Sequence, residues 1–433
     1  MCCALLGLLW SSLGCAARKL EPPRYKPVDQ LKRCGPNECV EAELRFRHWA
    51  NAAHYRGRMP YHCDPGSELD GRPAPAVTRM IFVVHGVVGP SARVLFHLDT
   101  PPGLFQLRNV VNALRRAQRQ DPSVDPKRIA IIAPTFQRTE QWQPYTDEDP
   151  RVWTWKRSTY NLGTLAKHRE GKAGIVKAES VSSFDVMDEF IRAAVVKFPN
   201  LEDLVIVGHS AGGQFVHRYV WMGVGVHEAV EGQGIDIRYI PANPGAYAFP
   251  IWQRKLPPGR RRVPPGVGRG DTQSWPWINP KSCEDWDDWG YGIAHLSTAL
   301  ARDGSDRPIR AANYAIEHYL RPHDRRLARR ARRNPGSRAW GRAARKALTL
   351  MYASREVWHI QAAGDHASTF PGNCRATLQG RSRFERFSNF QEAWTTRVGV
   401  DAPNLHFVAL DTTHQHSSRA VYASDPGIHL LFH

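Results

Sequence analysis

Residues 208–212 read Gly208-His209-Ser210-Ala211-Gly212 and follow the β-branched run Leu204-Val205-Ile206-Val207. The spacing is G-x-S-x-G, and the chemistry it fits is that of a serine turned into a nucleophile. A tight turn from strand to helix presents such a hydroxyl. Small residues are needed at Gly208 and Gly212 because side chains there would collide with the adjoining strand and helix. A helix beginning at Ala211 and running through 214–222 points its free N–H groups at the site, where developing negative charge is stabilised. The competing interpretation is a small-residue turn with a capping serine. What separates the two is whether the rest of the machinery stands elsewhere in the chain.

A serine hydroxyl is a poor nucleophile until a base takes its proton, and the base needs a partner that orients it. In sheets entered through such a turn the chain order is serine, acid, histidine. Asp365 follows the strand-like run at 356–361 and lies next to Gly364, a position that also suits a plain turn residue. His414 and His416 both follow Leu405-His406-Phe407-Val408-Ala409-Leu410, so either can be the base. An H-x-H pair can also hold a metal, but no carboxylate or cysteine set accompanies it, and no metal is expected. Two N–H donors are needed for an oxyanion. One is the amide of Ala211, and the other is that of Val87, in the loop Val84-His85-Gly86-Val87-Val88-Gly89 after an apolar run. This chemistry needs no cofactor.

The elements that must position these groups alternate. Met80-Ile81-Phe82-Val83-Val84, Ile129-Ala130-Ile131-Ile132-Ala133, the run before Gly208, Ile237-Arg238-Tyr239-Ile240 and the two downstream runs read as buried strands. Helical patterns fill gaps at 104–118 and at 183–197, the second with Ser182 and Asp185 as a capping pair. Strand–helix alternation predicts an α/β fold, with a mostly parallel central sheet and helices on both faces. Residues 250–345, rich in Pro, Gly, Trp and Arg, break the rhythm after the run at 237–240, which would be the sixth strand of a sheet built around a G-x-S-x-G turn, and read as a cap or lid over the carboxyl ends of the strands. The expected division is therefore a leader over 1–17, an N-terminal extension over 18–75, a core over 76–249 and 346–433, and the insertion between them. His209, Tyr247, Trp286 and Trp289 are candidates for lining a substrate cleft. The insertion's aromatics equally suit its own core.

The chain has 433 residues, of which 42% are hydrophobic and 10% aromatic, enough for a substantial core. No run is long enough to span a membrane. Residues 2–13 are apolar and small and precede Gly14-Cys15-Ala16-Ala17, the pattern of a short signal peptide, so export is expected. A lipid-modified Cys15 is an alternative form of the same expectation. Net charge is +18. Arginines cluster at Arg260-Arg261-Arg262 and over 321–346, which suits weak contact with a polyanion or anionic surface or, more simply, a solvated helix face. Aromatic interleaving is sparse there, so specific nucleic-acid binding is not expected.

With these residues assembled, the sequence resembles the α/β-hydrolases. More narrowly it is similar to a largely uncharacterised, often exported family of bacteria, fungi and plants. The resemblance rests on Ser182-Ser183-Phe184, on the elbow extended to Gly-His-Ser-Ala-Gly-Gly-Gln, and on Ala242-Asn243-Pro244-Gly245-Ala246-Tyr247. It also rests on the segment from Cys283 through Trp286 and Trp289 to Gly292, and on Cys374 followed by Leu378-Gln379-Gly380. It implies Asp365 as the acid, His416 rather than His414 as the base, and a Cys283–Cys374 disulfide. Gln415 stands where the family has Gly, and the arginine-rich stretch has no counterpart. The family has no settled substrate, so the resemblance bears on fold and sites; the residues themselves point to a carboxylic ester hydrolase acting on a small or lipid-like ester, with acyl transfer, amide or thioester cleavage, or binding without catalysis as alternatives.

Overall fold

The apolar runs become strands because each is flanked by helices that cover it. In the computed structural model, residues 40–47, 54–87, 102–138, 153–156, 159–170, 175–223, 230, 233–255, 275–280, 283, 286–293, 299–302, 308–310, 325–333, 338–367, 373–411 and 413–433 are described. The main sheet contains β1 (Val40–Arg47), β2 (His54–Cys63), β3 (Arg79–Val84), β4 (Ile129–Pro134), β5 (Asp203–His209), β6 (Asp236–Ala242), β7 (Glu356–Ala362) and β8 (Leu405–Leu410). Their spatial order is β1-β2-β4-β3-β5-β6-β7-β8. All pairings from β4 to β8 are parallel, while β1–β2 and β2–β4 are antiparallel.

Period-two alternation sorts the strand side chains between two layers. Met80 and Phe82 of β3 and Leu204 and Ile206 of β5 join a core with α2 (Ser183–Lys197) and α3 (Ala211–Met222), through Phe184, Phe190, Phe215 and Tyr219. Ile81, Val83, Val205 and Val207 point the other way, onto α1 (Pro102–Gln120) with Leu107, Val110 and Leu114. The start of α2 is fixed locally. Ser182 Oγ accepts from Asp185 N at 3.1 Å, and Asp185 Oδ2 accepts from Ser182 N at 2.8 Å, a capping box that satisfies donors the first helical turn leaves orphaned.

Three features differ from the expected organisation. The stretch set apart as an N-terminal extension supplies β1 and β2, so the sheet starts well before residue 76. Val40, Ala42, Leu44 and Phe46 alternate with charged residues, the pattern of an edge strand rather than the continuous apolar run of a central one. The boundary at 345/346 falls inside α5 (Arg338–Ser354), whose Leu348 and Tyr352 belong to the main core. Described parts of the insertion also reach that core, through Trp289, Ile293 and, from α4 (Arg325–Arg333), Ala328. The leader at 1–17 lies outside the described residues.

Cys283 and Cys374 form a disulfide with Cα atoms 5.9 Å apart, and Cys63 is disulfide-bonded as well. The first bond ties Cys283 to the start of α6 (Cys374–Gln379), which follows β7 in the chain. Among the described residues no helix is long and apolar enough to cross a membrane.

Candidate active site

The site begins at the turn between β5 and α3. Ser210 has φ 60° and ψ −117°, a conformation L-residues rarely adopt, and such strain persists only where surrounding structure fixes it. Here Ser210 N donates to Ala242 O of β6 at 3.0 Å, and Gln214 N donates to Ser210 O at 2.9 Å. The flanking glycines leave no room for a side chain. A Cβ at Gly208 would lie 2.4 Å from Gly212 O, and one at Gly212 would lie 2.0 Å from Val84 O. The elbow is thus wedged against the end of β3.

The loop after β3 meets it directly. A Cβ at Gly86 would sit 3.3 Å from Ser210 Cβ and 3.9 Å from Ala211 N, so Gly86 lies directly against the serine, and the exposed Val87 is the next residue along the loop. His85 anchors this loop. Its Nδ1 donates to Gly86 O at 2.9 Å, and Nε2 accepts from Phe136 N at 2.9 Å. Tyr160 donates its hydroxyl to His85 O, also at 2.9 Å. Burial pushes the His85 imidazole down to about 4, which keeps Nε2 an acceptor. The sequence marked His85 only as part of a glycine turn. Phe136 and Tyr160 carry no motif, and only the fold brings them in.

His416 and Asp365 come together from the loops after β8 and β7. His416 Nδ1 donates to Asp365 Oδ2 at 2.7 Å, which leaves Nε2 as the basic nitrogen of the neutral ring. The His416 ring lies 4.6 Å, centroid to centroid, from that of His209, the residue before Ser210. Asn243, in the segment that follows β6, clamps the loop that carries Gln415 and His416. It donates through Nδ2 to Gln415 O at 3.2 Å and accepts at Oδ1 from Ala362 N at 2.8 Å. Asn243 has φ 43°, a left-handed conformation that asparagine tolerates better than most residues. His414 turns elsewhere. Its Nδ1 pairs with Asp411 Oδ1 at 2.7 Å, and it lines a groove with Asn109, Arg119 and Arg419.

One contact had no counterpart in the sequence reading. Arg383 Nη1 donates to Asp365 Oδ1 at 2.7 Å, with both side chains buried. Burial alone raises the Asp365 carboxyl, but the hydrogen bond and charge of His416, together with Arg383, outweigh it and hold the group below its usual range.

The four substrate-lining candidates do not share one environment. Tyr247 and Trp289 are core residues. Tyr247 stacks on Phe390 at 4.7 Å, and Trp289 Nε1 donates to Leu162 O at 2.7 Å. Trp286 is half-buried, with the Arg254 guanidinium 4.8 Å from its ring centre. His209 is the one that touches the site. Its Nε2 is buried with no hydrogen-bond partner among the described residues, and burial, then the charges of His416 and Arg383, keep the ring neutral. Among the described residues no cluster of His, Cys, Asp or Glu is arranged to hold a metal.

The buried imidazoles predict acid sensitivity. His359, which hydrogen-bonds Tyr352, is pushed down to about 3 by burial, and His85 to about 4. In the unfolded chain these rings protonate below about 6.5, whereas in the folded protein they stay neutral, so the unfolded state binds more protons in that window. Stability is fully present above about pH 6.5 and is lost as pH falls toward 4, by roughly 3 kcal/mol for His85 alone. Urea midpoints measured from pH 7.5 to 4.5 are expected to fall steeply below 6.5. A flat profile would contradict this account.

No family model and no curated protein matches the chain. Solved structures similar to it include LpqC, a poly(3-hydroxybutyrate) depolymerase from Bordetella parapertussis, at 15% identity over 89% of this chain and 87% of that one, with a TM-score of 0.43. Poly(aspartic acid) hydrolase-1 from Sphingomonas sp. KT-1 is similar at 15% identity over 91% and 98%, with a TM-score of 0.41. The siderophore hydrolase EstA from Aspergillus nidulans is similar at 12% identity over 91% and 93%, with a TM-score of 0.37. The fold assignment stands on the chain's own topology. The sheet runs 1-2-4-3-5-6-7-8, its strands are parallel from the third onward, and the G-x-S-x-G turn leaves the fifth. That architecture is an α/β-hydrolase-type fold.

Proposed function

We propose that the protein is a serine hydrolase that cleaves carboxylic esters through an acyl-enzyme on Ser210, with His416 as base and Asp365 as its orienting acid. The observation that carries this reading is the 2.7 Å Asp365–His416 hydrogen bond, set beside an elbow whose serine has φ 60°. Ser210 Oγ attacks the substrate carbonyl carbon while its proton passes to His416 Nε2. The amides of Val87 and Ala211 hold the tetrahedral oxyanion. As the intermediate collapses, the alcohol leaves with the proton from His416. Water then attacks the acyl carbon, giving its proton to His416, and the carboxylic acid departs with Ser210 restored. Asp365 stabilises the imidazolium in both halves without taking its proton. An ester is the substrate class favoured because an alkoxide leaving group asks for nothing beyond these residues.

The disulfides, with the leader-like residues 1–17, support an exported protein. Helix α4 exposes Arg325, Arg326, Arg329, Arg330 and Arg333, which supports at most salt-sensitive contact with polyanions.

A fluorophosphonate probe tests the central reading. The folded protein is expected to label at Ser210, and Ser210→Ala is expected not to label. Unlabelled, folded wild type would sink the catalytic reading in favour of a binding protein.

A further inference from the structure

We infer that Arg383 is a positioning residue of the catalytic site, which holds Asp365 in the orientation that serves His416 and sets the pH range over which the pair works. The inference rests on the proposed Ser210–His416–Asp365 reading.

Arg383 opens α7 (Arg383–Thr396), whose N-cap is Ser382. Two arginines in its first turns are buried, and they do different things. Arg386 is a structural clamp. Its Nε donates to Ala376 O at 3.1 Å and to Gly380 O at 2.8 Å, and its Nη1 donates to Gly245 O at 2.7 Å. Arg383 makes no such set of carbonyl contacts. Its Nη1 goes to Asp365 Oδ1 at 2.7 Å, and its Nε has no partner among the described residues. A buried guanidinium that leaves a donor unmatched is costly, and the carboxylate it meets is the one that accepts from His416. Phe384 N adds a long 3.4 Å contact to Asp365 O. The start of a 14-residue helix therefore backs the acid, and helix N-termini favour negative charge.

The arrangement fixes both carboxylate oxygens. Oδ1 is committed to Arg383 and Oδ2 to His416, so the carboxylate cannot rotate without losing a charge-assisted bond. The guanidinium also opposes the imidazolium that forms beyond Asp365. Other charged and titratable groups around the pair are His209 from the elbow, Tyr247 from the segment after β6, His366 beside Asp365 in the chain, and Glu385 and Arg386 of α7. Burial keeps His209 and Tyr247 neutral, and Arg386 is held by its carbonyls. Arg383 is thus the cation whose removal changes the field at His416 most directly.

The experiment is the pH dependence of kcat and KM on one soluble ester for wild type, Arg383→Gln and Arg383→Lys, with Ser210→Ala as baseline and circular dichroism as the folding control. For Arg383→Gln, kcat is expected to fall about tenfold or more, with KM within about twofold, because the acid loses its fixed orientation. The acidic limb is expected to move up by about one pH unit. Arg383→Lys restores the charge but not the planar fork, so the limb should return to its wild-type position while kcat recovers only partly. Arg383→Gln with wild-type kcat and limb overturns the inference, and so does a Lys variant whose limb is displaced as far as that of Gln. If Arg383→Gln does not fold, Arg383→Lys decides alone: a reduced kcat on an unshifted limb supports the role, and full activity or a shifted limb overturns it. Residual turnover by Ser210→Ala at the wild-type rate sinks the triad reading itself, whatever Arg383 does.

Discussion

His416→Ala is expected to lower kcat by about 10⁴-fold or more, whereas His414→Ala is expected to stay within about twofold of wild type. The two histidines are two residues apart and follow the same strand, so chain order cannot rank them. Their partners do. His416 Nδ1 meets buried Asp365, and its ring lies against His209 beside the elbow. His414 meets Asp411, an exposed carboxylate three residues before it. A neutral imidazole whose Nδ1–H is fixed by a buried carboxylate presents a basic Nε2 in a constant orientation, which is what proton transfer from a serine requires. His414 has the same local pairing without a nucleophile beside it. Steady-state kinetics on a short-chain ester, with fluorophosphonate labelling rates as a second readout, separate the two. If His414→Ala abolishes turnover while His416→Ala retains it, the base assignment is wrong.

Much of this site is legible in the sequence because its signals are local. The elbow needs Gly208 and Gly212 for reasons confined to one turn, and the clashes of 2.4 and 2.0 Å that a Cβ would meet there are the physical content of the motif. The capping box at Ser182 and Asp185 is equally local. The central strands announce themselves because burial on both faces demands continuous apolar runs. Edge strands carry half that signal. β1 alternates Val40, Ala42, Leu44 and Phe46 with Glu41, Glu43, Arg45 and Arg47, which reads as a polar extension until β2 pairs with it. Aromatic residues mislead in the other direction. Tyr247 and Trp289 have the size and amphipathic character of cleft residues, but both are drawn into the core, where Gln361 and Leu162 meet their polar atoms. Nothing in a list of residue types distinguishes the two outcomes.

Arg383 illustrates what sequence cannot rank at all. Arg381, Arg383 and Arg386 sit in an arginine-rich chain, where residue type alone does not separate a buried arginine from a solvated one. The burial of Arg383 and Arg386 is tertiary. It arises because α7 packs its first turn against the loop that follows β7, where a carboxylate has been left with one oxygen unmatched by His416. Asn243 is the parallel case. The Asn-Pro segment was visible as a motif, but its work of joining Gln415 O to Ala362 N depends on strands β6 and β7 being neighbours.

Asp365→Asn should reduce kcat by about 10⁴-fold near neutral pH while leaving the fold intact, and the reason is specific to this site. Asparagine has the shape of aspartate but one oxygen and one NH₂ group. Arg383 is a donor only, so the oxygen of the introduced amide must face it, and the NH₂ group is forced toward His416. His416 Nδ1 must then accept, which moves the ring proton to Nε2, and the nitrogen that should take the serine proton already carries one. In most settings an amide can flip to relieve such a conflict, but here the flip sets NH₂ against the buried guanidinium. The conflict is therefore non-additive. Replacing Arg383 by Gln in the Asp365→Asn background frees the amide to turn its oxygen toward His416 Nδ1–H, and the double variant is expected to be about tenfold faster than Asp365→Asn alone, although Arg383→Gln by itself slows the wild type. Measured kcat values for the two single variants and the double variant close the cycle. A double variant as slow as Asp365→Asn, or slower, would show that Arg383 does not dictate the tautomer. Recovery of rate on removing a second conserving charge is an outcome that a purely structural arginine does not produce.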